Sequence, residues 1–586
     1  MTTNLSLSAS GRSLASKVSG SLSGSSTEVT TSPCVEETSG DDSSGSSGSS
    51  SGPDEAELRA AELRVMEARK AKMKSEHFRL LEHRQEEDEL NEIKATPIFT
   101  EAVREYAHSL AANLKEKPFS QYGLLAGDIS GLTPASSDNR LFWNISAPSS
   151  FFICGSQGSG KSHTLSCLLE NALAPGPATT LPRPLTGIVF HYDTFVSDTG
   201  GSPCEAAWLA SNKGIKVRVL CPPTNVRTLK NMYKRFPSVT VDELRLNESD
   251  LNTKRMLDLM AVTTGNMPLY LHVVNRILRD MRVDQQRTGA PFSYSTFKRM
   301  MLEEDLTEMQ LAPLRQRLDT LESFMVEAHA KSFDMFKRSP MKKAQPSQGP
   351  TMGTSWKPQQ GSLTIVDLSC PCVTSEMACS LFNICLSLFL EQSASDVGRI
   401  IALDEAHKYM NDSAECQTLT ESLLATIRLQ RHLAARIIIS TQEPTISPKL
   451  LDLCSVTVVH RFTSPDWLAA LRKHLAGVSS AARLLERAER AQAARDSQRG
   501  DMETDGINAL TLGDGDPGME LFSRIVALRV GEALVFAPSA IVGVQQKKAG
   551  AEGTPKQYGV KRLAHGVMKV RVRNRTTADG GKSIMS

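Results

Sequence analysis

The segment GSQGSGKS, Gly155 to Ser162, follows the short apolar run Phe151 to Cys154 and precedes a helix-forming stretch, His163 to Leu173. A glycine-rich turn set between a buried strand and a helix leaves the backbone few options. Gly155, Gly158 and Gly160 let it fold tightly, with N–H groups turned inward and no Cβ in the way. A nest of N–H groups at a helix N-terminus is a phosphate site. At this spacing Lys161 reaches the β and γ phosphates of a nucleoside triphosphate, and the Ser162 hydroxyl ligates Mg²⁺. The expected binding loop is Gly155, Ser156, Gln157, Gly158, Ser159, Gly160, Lys161, Ser162 and His163.

With 586 residues the chain has room for several domains and for a sheet buried on both faces. Lys plus Arg total 67 against 65 for Asp plus Glu, a formal charge of +2, so only local patches can argue for nucleic acid. The 11 cysteines include no CxxC pair, and no histidine stands near Cys370 and Cys372 at zinc-ligand spacing. They read as reduced thiols of a cytosolic or nuclear protein. No apolar run reaches the roughly 18 residues of a membrane span, and the N-terminus lacks a secretory pattern. A soluble, intracellular protein of nucleus or cytoplasm, without a membrane partner, is expected.

Residues 1–53 are dominated by Ser, Thr and Gly and read as a disordered tail. From 54 to 95 the composition turns to Glu, Arg, Lys, Ala and Leu. Leu58, Leu63, Met66, Met73, Phe78 and Leu81 keep no strict heptad, so a charged surface helix is expected rather than a coiled coil. The first part of the nucleotide domain spans 96–223, with strands at Gly187 to Tyr192 and Ile215 to Leu220. The stretch 224–336 shows apolar residues at helical spacing and no sheet periodicity, and reads as an all-helical insertion. A polar, Pro-containing loop follows at 337–361. The second part, 362–475, carries strands at Leu363 to Leu368, Ile400 to Leu403, Ile437 to Thr441 and Val456 to His460, and a long helix Glu376 to Leu390. A basic helix and loop are expected at 476–517. C-terminal strands and a basic tail follow at 518–586, with GEALVFAPSAIVGV as a strand pair. The alternation of strands and helices points to an α/β fold with a mainly parallel sheet flanked by helices.

RIIALDEAH, Arg399 to His407, is an apolar strand ending in two acids. Asp404 suits the Mg²⁺ shell, and Glu405 suits the general base that polarises an attacking water. IIISTQ, Ile437 to Gln442, ends in polar residues where parallel sheets bind ligands, which places Gln442 near the γ-phosphate or its water. Between these strands TIRLQRHLAAR reads as a basic helix with Arg428, Arg431, His432 and Arg436. In KRLAHGVMKVRVRNR, Lys569, Arg571, Arg573 and Arg575 alternate with valines, which would line one strand face with charge for DNA-backbone contact.

The order of GSGKS, the DE strand and the STQ strand, with ISTQEPTISPKLLDLCSVTVVHRF following, resembles the HerA/FtsK superfamily of hexameric DNA-pumping ATPases, nearer its HerA side. VDLSCPCVTSEMACSLFNICLSLFL is similar to that family's strand-then-helix, and LRVGEALVF to its closing strand. The resemblance covers roughly 150–220 and 363–544. It implies a RecA-like sheet of the additional-strand, catalytic-glutamate class, ATP as the nucleotide with Mg²⁺, and a homo-oligomer, a hexamer in the family. Arg431 falls where the family has the arginine of a Gly-Arg-Lys motif, here flanked by Gln430 and His432, which implies a finger acting in trans on a neighbour's phosphates. The family's N-terminal β-barrel has no counterpart in the Ser-rich tail and charged helix, and the helical insertion is foreign to its compact members.

Two other readings compete with a DNA translocase. DEAH, Asp404 to His407, mimics a DEAH-box RNA helicase, but the chain after Gln442 is too short for a second RecA-like domain, so His407 is expected to pack or support. A nucleotide-dependent scaffold, switching partners without moving a polymer, fits the same motifs.

Overall fold

The computed structural model describes residues 55–81, 85–113, 117–130, 138–195, 201–260, 269–326, 352–392, 397–444, 446–474, 517–546 and 558–580. The tail 1–53, most of the 337–361 loop, and the basic stretch with Arg483, Arg487, Arg490 and Arg495 lie outside them. The chain divides into two units, Met1–Glu82 and His83–Ser586.

In the first unit the described residues form one helix, α1 (Glu55–Leu81). Leu63, Met66, Met73, Phe78 and Leu81 are all exposed. The charged helix expected over 54–95 is two helices. The second, α2 (Gln85–Ala95), belongs to the second unit, where Leu90 and Ile93 are buried beside Phe99, Val103 and Phe119. The switch follows from composition, because only this end of the run carries apolar residues that find a core.

The second unit is built on one sheet. Its centre is eight parallel strands in the spatial order β12 (Val456–Val459), β4 (Ser150–Cys154), β11 (Ala435–Thr441), β10 (Arg399–Leu403), β6 (Thr186–His191), β9 (Ser362–Asp367), β7 (Lys216–Cys221) and β8 (Val239–Glu243). Continuous apolar runs such as RIIAL and ARIIIST are buried on both faces, as a covered parallel sheet requires. Each fully buried Ile of Ile437 to Ile439 contributes about 2 kcal/mol of burial. Helices pack on both sides. The helix α4 (Lys161–Leu173), which follows the glycine loop, is among them, as is α10 (Ser375–Glu391), whose first turn Thr374 caps by accepting from the Met377 N–H at 3.3 Å.

Three expectations need correction here. The insertion 224–336 is not wholly helical: among the described residues, between the helices α5 (Val226–Tyr233) and α6 (Thr253–Leu259), it carries β8, whose half-exposed alternation marks an edge strand. The stretch before β4 is more than a lead-in. β1 (Ile98–Thr100), β2 (Tyr122–Asp128) and β3 (Arg140–Asn144) extend the sheet beyond β12 through β13 (Glu532–Phe536) and β16 (Met568–Val572), mostly antiparallel. Finally, β13 and β14 (Ile541–Gln546) are both strands but not partners. β13 lies between β12 and β16, whereas β14 lies between β1 and β15 (Tyr558–Arg562). Each has a closer-fitting neighbour elsewhere, a choice that local periodicity does not encode. No helix among the described residues is long and apolar enough to cross a membrane.

Candidate nucleotide-binding site

The loop 155–160 leaves the carboxyl end of β4 and enters α4 through Gly160, whose φ of 111° only glycine adopts readily. At Gly155 space is the constraint, since a Cβ would stand 2.7 Å from the His460 Cβ and from the Ser159 hydroxyl. The loop is also pinned from outside: the Ser156 N–H and hydroxyl both donate to the Arg461 carbonyl, at 2.8 and 2.9 Å. Lys161 is 3% exposed, and its ammonium folds back to donate to the Ser156 carbonyl at 3.0 Å. Gln157 and Gly158 are exposed and Ser162 is half-buried. The His163 imidazole turns away from the loop, its Nε2 lying 2.8 Å from the Arg573 carbonyl, so only its backbone stays with the phosphate nest.

Register brings the other residues to this edge. Thr441 pairs with Cys154 across β11 and β4, and Leu403 pairs with Ile439 across β10 and β11. Asp404 and Glu405 therefore follow the end of one strand, Gln442 follows the end of the next, and the glycine loop leaves the third. The strand order is decisive: one strand, β11, stands between the loop strand and the acidic strand. The fold is that of a P-loop protein of the additional-strand class.

Burial pushes the Lys161 ammonium below its ordinary value, and the Glu405 and Asp404 carboxylates oppose that shift. Glu405 is shifted upward, first by burial and then by the neighbouring Asp404 charge, with Lys161 working against both. Its backbone sits in the left-handed region at φ 47°, ψ 47°, a strained turn for a side chain bearing a Cβ. That turn aims the carboxylate at Gln442, whose Nε2 donates to Glu405 Oε2 at 2.5 Å. His407 completes the group. Its Nδ1 accepts from the Gln442 N–H at 3.4 Å, which leaves the proton on Nε2, 3.5 Å from Glu405 Oε2. Burial holds this imidazole down to about 4, so it is neutral at physiological pH. Trp467 fixes the arrangement by donating its indole N–H to the Gln442 carbonyl at 2.8 Å.

Asp404 is 3% exposed. Its Oδ2 lies 3.4 Å from His191 Nδ1 and accepts from the Cys204 thiol at 3.8 Å, while Oδ1 is buried with no hydrogen-bond partner. The three groups bring ligand-type atoms within 4.8 Å of one another. An Mg²⁺ ion, which prefers oxygen, would be suited by the Ser162 hydroxyl and by Asp404 Oδ1, which has no hydrogen-bond partner among the described residues.

Arg431 is not brought to this edge. It is exposed on the turn before β11, while Gln442 follows that strand's other end, about 20 Å away. The basic helix expected around it stops at Arg428, because Leu429 to Ala434 form turns. Arg436 is buried within β11, where its guanidinium donates to the Ile145 carbonyl at 2.6 and 3.0 Å.

The charged C-terminal face is likewise corrected. Lys569 and Arg571 both pair with Glu532, at 3.4 and 2.9 Å. Beyond the strand, Arg573 pairs with Glu170 at 2.8 Å and Arg575, its side chain 2% exposed, with Glu205 at 2.6 Å. Arg573 and Arg575 are thus held inside the fold, whereas Lys569 and Arg571 share one carboxylate and the Arg571 side chain is 59% exposed, so the four do not form one continuous row. The helicase alternative also loses its premise, since the strands after Gln442 join the same sheet.

Two residues that sequence reasoning did not single out close the site. His460, after β12, is buried, with Nε2 2.9 Å from the Thr164 hydroxyl and Nδ1 3.0 Å from the Glu532 carbonyl. Gly531 donates its N–H to the Ser159 carbonyl at 3.4 Å. The VVHRF and GEA segments were the available signals. Burial holds the His460 imidazole down to about 4. In the unfolded chain it takes a proton near 6.5, so its contribution is intact above that pH and is lost as pH falls towards 4, by roughly 3 kcal/mol. Thermal melts should show this acid slope reduced in His460→Gln relative to the parent.

No protein-family model matches the chain, and no curated protein does. Among solved structures, VirB4 of Thermoanaerobacter pseudethanolicus is 11% identical, with 77% of this chain and 96% of that one covered and a TM-score of 0.39. The genome packaging NTPase B204 from Sulfolobus turreted icosahedral virus 2, in complex with ATP-gammaS, is 12% identical, with 30% and 63% covered and a TM-score of 0.19. Both likenesses are distant, and the strand order alone carries the fold.

Proposed function

We propose that the protein is a P-loop ATPase that hydrolyses ATP with Mg²⁺, working as a ring of identical subunits that moves DNA. The observation that carries the reading is the meeting of three strand ends, which places Lys161, Asp404, Glu405 and Gln442 at one sheet edge. The backbone N–H groups of 155–163 bind the phosphates, and Lys161 leaves the Ser156 carbonyl for the β and γ oxygens. Ser162 and Asp404 would hold Mg²⁺, which when bound would neutralise charge on the phosphates. Glu405 takes a proton from the attacking water. Gln442 and His407 hold that carboxylate in place, and Gln442 is placed to exchange its bond to Glu405 for one to the γ-phosphate.

Arg431 is too far from its own phosphates to act on them and stands exposed, which supports a role across a subunit boundary. Arg431→Ala should lower turnover about 10²-fold with nucleotide binding unchanged. Mixing it with a Lys161→Ala subunit should restore activity in the mixed assembly. Failure of every mixture to recover turnover removes the trans role.

The whole reading is tested by measuring ATP hydrolysis by the purified chain with and without double-stranded DNA, beside a mass measurement of its assembly state. DNA stimulation of an oligomer is expected. Hydrolysis by a monomer indifferent to DNA overturns the translocase and leaves the ATPase.

A further inference from the structure

A cavity with a distinct charge lies away from the P-loop. It has a volume of about 720 Å³ and sits at the amino ends of the parallel strands, touching Thr186, Lys216 and Ser362, the first residues of β6, β7 and β9. The glycine loop is at the carboxyl end of the sheet, so the two are separated by about the 20 Å length of a six-residue strand.

Among the described residues four cations line this cavity, Lys213, Lys216, Arg218 and Lys357, and no carboxylate does. Among the described residues none of the four takes part in an ion pair within 4.0 Å. Arg218 is half-buried and immobilised: its Nε donates to the Thr364 hydroxyl at 3.0 Å and an Nη to the Ser355 carbonyl at 2.6 Å. The one carboxylate acting on it is Asp242, on β8, which lines the adjoining cavity instead. Four like charges around one concavity repel one another and are relieved by an anion. The Gln359 amide and serine and threonine hydroxyls make up the remaining polar lining; those of Ser211, Ser238 and Ser362 donate to the Trp208, Ala210 and Gln359 carbonyls and reach a phosphate oxygen by exchanging that bond. Trp356, 5% exposed, and Phe389 supply the apolar wall. The volume is that of a small-molecule pocket, in the range that suits a nucleotide-sized ligand.

We infer that this cavity is a second anion site, which takes a small phosphate-bearing molecule with more than one phosphate group. Its position at the opposite end of the sheet makes it independent of the P-loop. Arg218 is the fixed anchor, and Lys213, Lys216 and Lys357 are exposed and able to close on the ligand from the rim.

The test uses the full-length chain carrying Lys161→Ala, so that the P-loop does not compete, and inorganic tripolyphosphate as the probe. Binding is followed by calorimetry and by tryptophan fluorescence, to which Trp356 contributes. One molecule is expected per chain, weakened at least tenfold by Arg218→Gln combined with Lys357→Gln and by raised salt. The Trp356→Phe variant should lose most of the optical signal while keeping the calorimetric one. If the Arg218 variant fails to fold, Lys213→Gln with Lys216→Gln, both at exposed positions, carries the same expectation. Parallel titrations with ADP and with a short single-stranded oligonucleotide separate the sources of phosphate. Tighter binding of tripolyphosphate or ADP supports the site; preference for the oligonucleotide, no binding at all, or equal binding by the cation-depleted variants overturns it. None of these outcomes depends on the P-loop's activity, so the ATPase reading can fail separately.

Discussion

Glu405→Gln is expected to leave ATP bound and to lower hydrolysis about 10³-fold, within the range for loss of a general base. The substitution keeps the size of the side chain and its place in the left-handed turn, so the backbone that presents it is unchanged. The amide can still meet Gln442 and His407 but cannot accept a proton from water. Burial beside Asp404 raises the parent carboxyl above the ordinary glutamate range, so parent activity should rise with pH through a value higher than a free glutamate's. Below that value the protonated carboxyl resembles the variant, and the two activities should converge. Single-turnover hydrolysis of radiolabelled ATP, beside filter binding of the same nucleotide, reads both quantities. Turnover by Glu405→Gln at the parent rate removes Glu405 from the mechanism.

Lys161→Ala should weaken ATP binding by about 10²–10³-fold, the loss expected when a desolvated charge facing phosphate is removed. Lys161 is among the few charged side chains buried at the loop, and burial already disfavours its charge. A phosphate chain compensates that cost more fully than the Ser156 carbonyl does. Because Lys161 also lowers Glu405 against the Asp404 charge, its removal should raise the Glu405 value further. Equilibrium binding of a fluorescent ATP analogue to both proteins checks this. Equal affinity would mean that the loop is structural.

Much of the parallel α/β core was legible because β4, β10 and β11 announce themselves locally, as apolar runs that end beside Gly, Asp or Gln, whereas the alternating edge strand β8 does not. RIIALDE and IIISTQ needed no partner to be read as buried strands with polar ends. Their convergence was a spatial inference, and the register of β4, β11 and β10 supplies it. The antiparallel flank was less legible. β2 carries Gly123 and Gly127, β1 has three residues, and both depend on neighbours from the far end of the chain. The basic residues misled for a different reason. Arg573, Arg575 and Arg436 look like surface charge in sequence, yet each is buried against an acid or a carbonyl contributed by a distant segment. Charge alone does not say whether a guanidinium faces solvent or serves as a hydrogen-bonding clamp.

That clamp sets an order of events during synthesis. Glu170, on the helix that leaves the glycine loop, is satisfied by Arg573 and by the Thr576 and Thr577 N–H groups, across a sequence separation of up to 407 residues. Until the segment from Arg573 to Thr577 leaves the ribosome, this buried carboxylate has no counter-charge and one side of the helix stays uncovered. Such non-local closure slows folding and prolongs the life of an unfinished domain. A nascent chain stalled short of Arg573 is thus a natural client for chaperones, and nucleotide can reward folding only after the segment around Arg573 has been made.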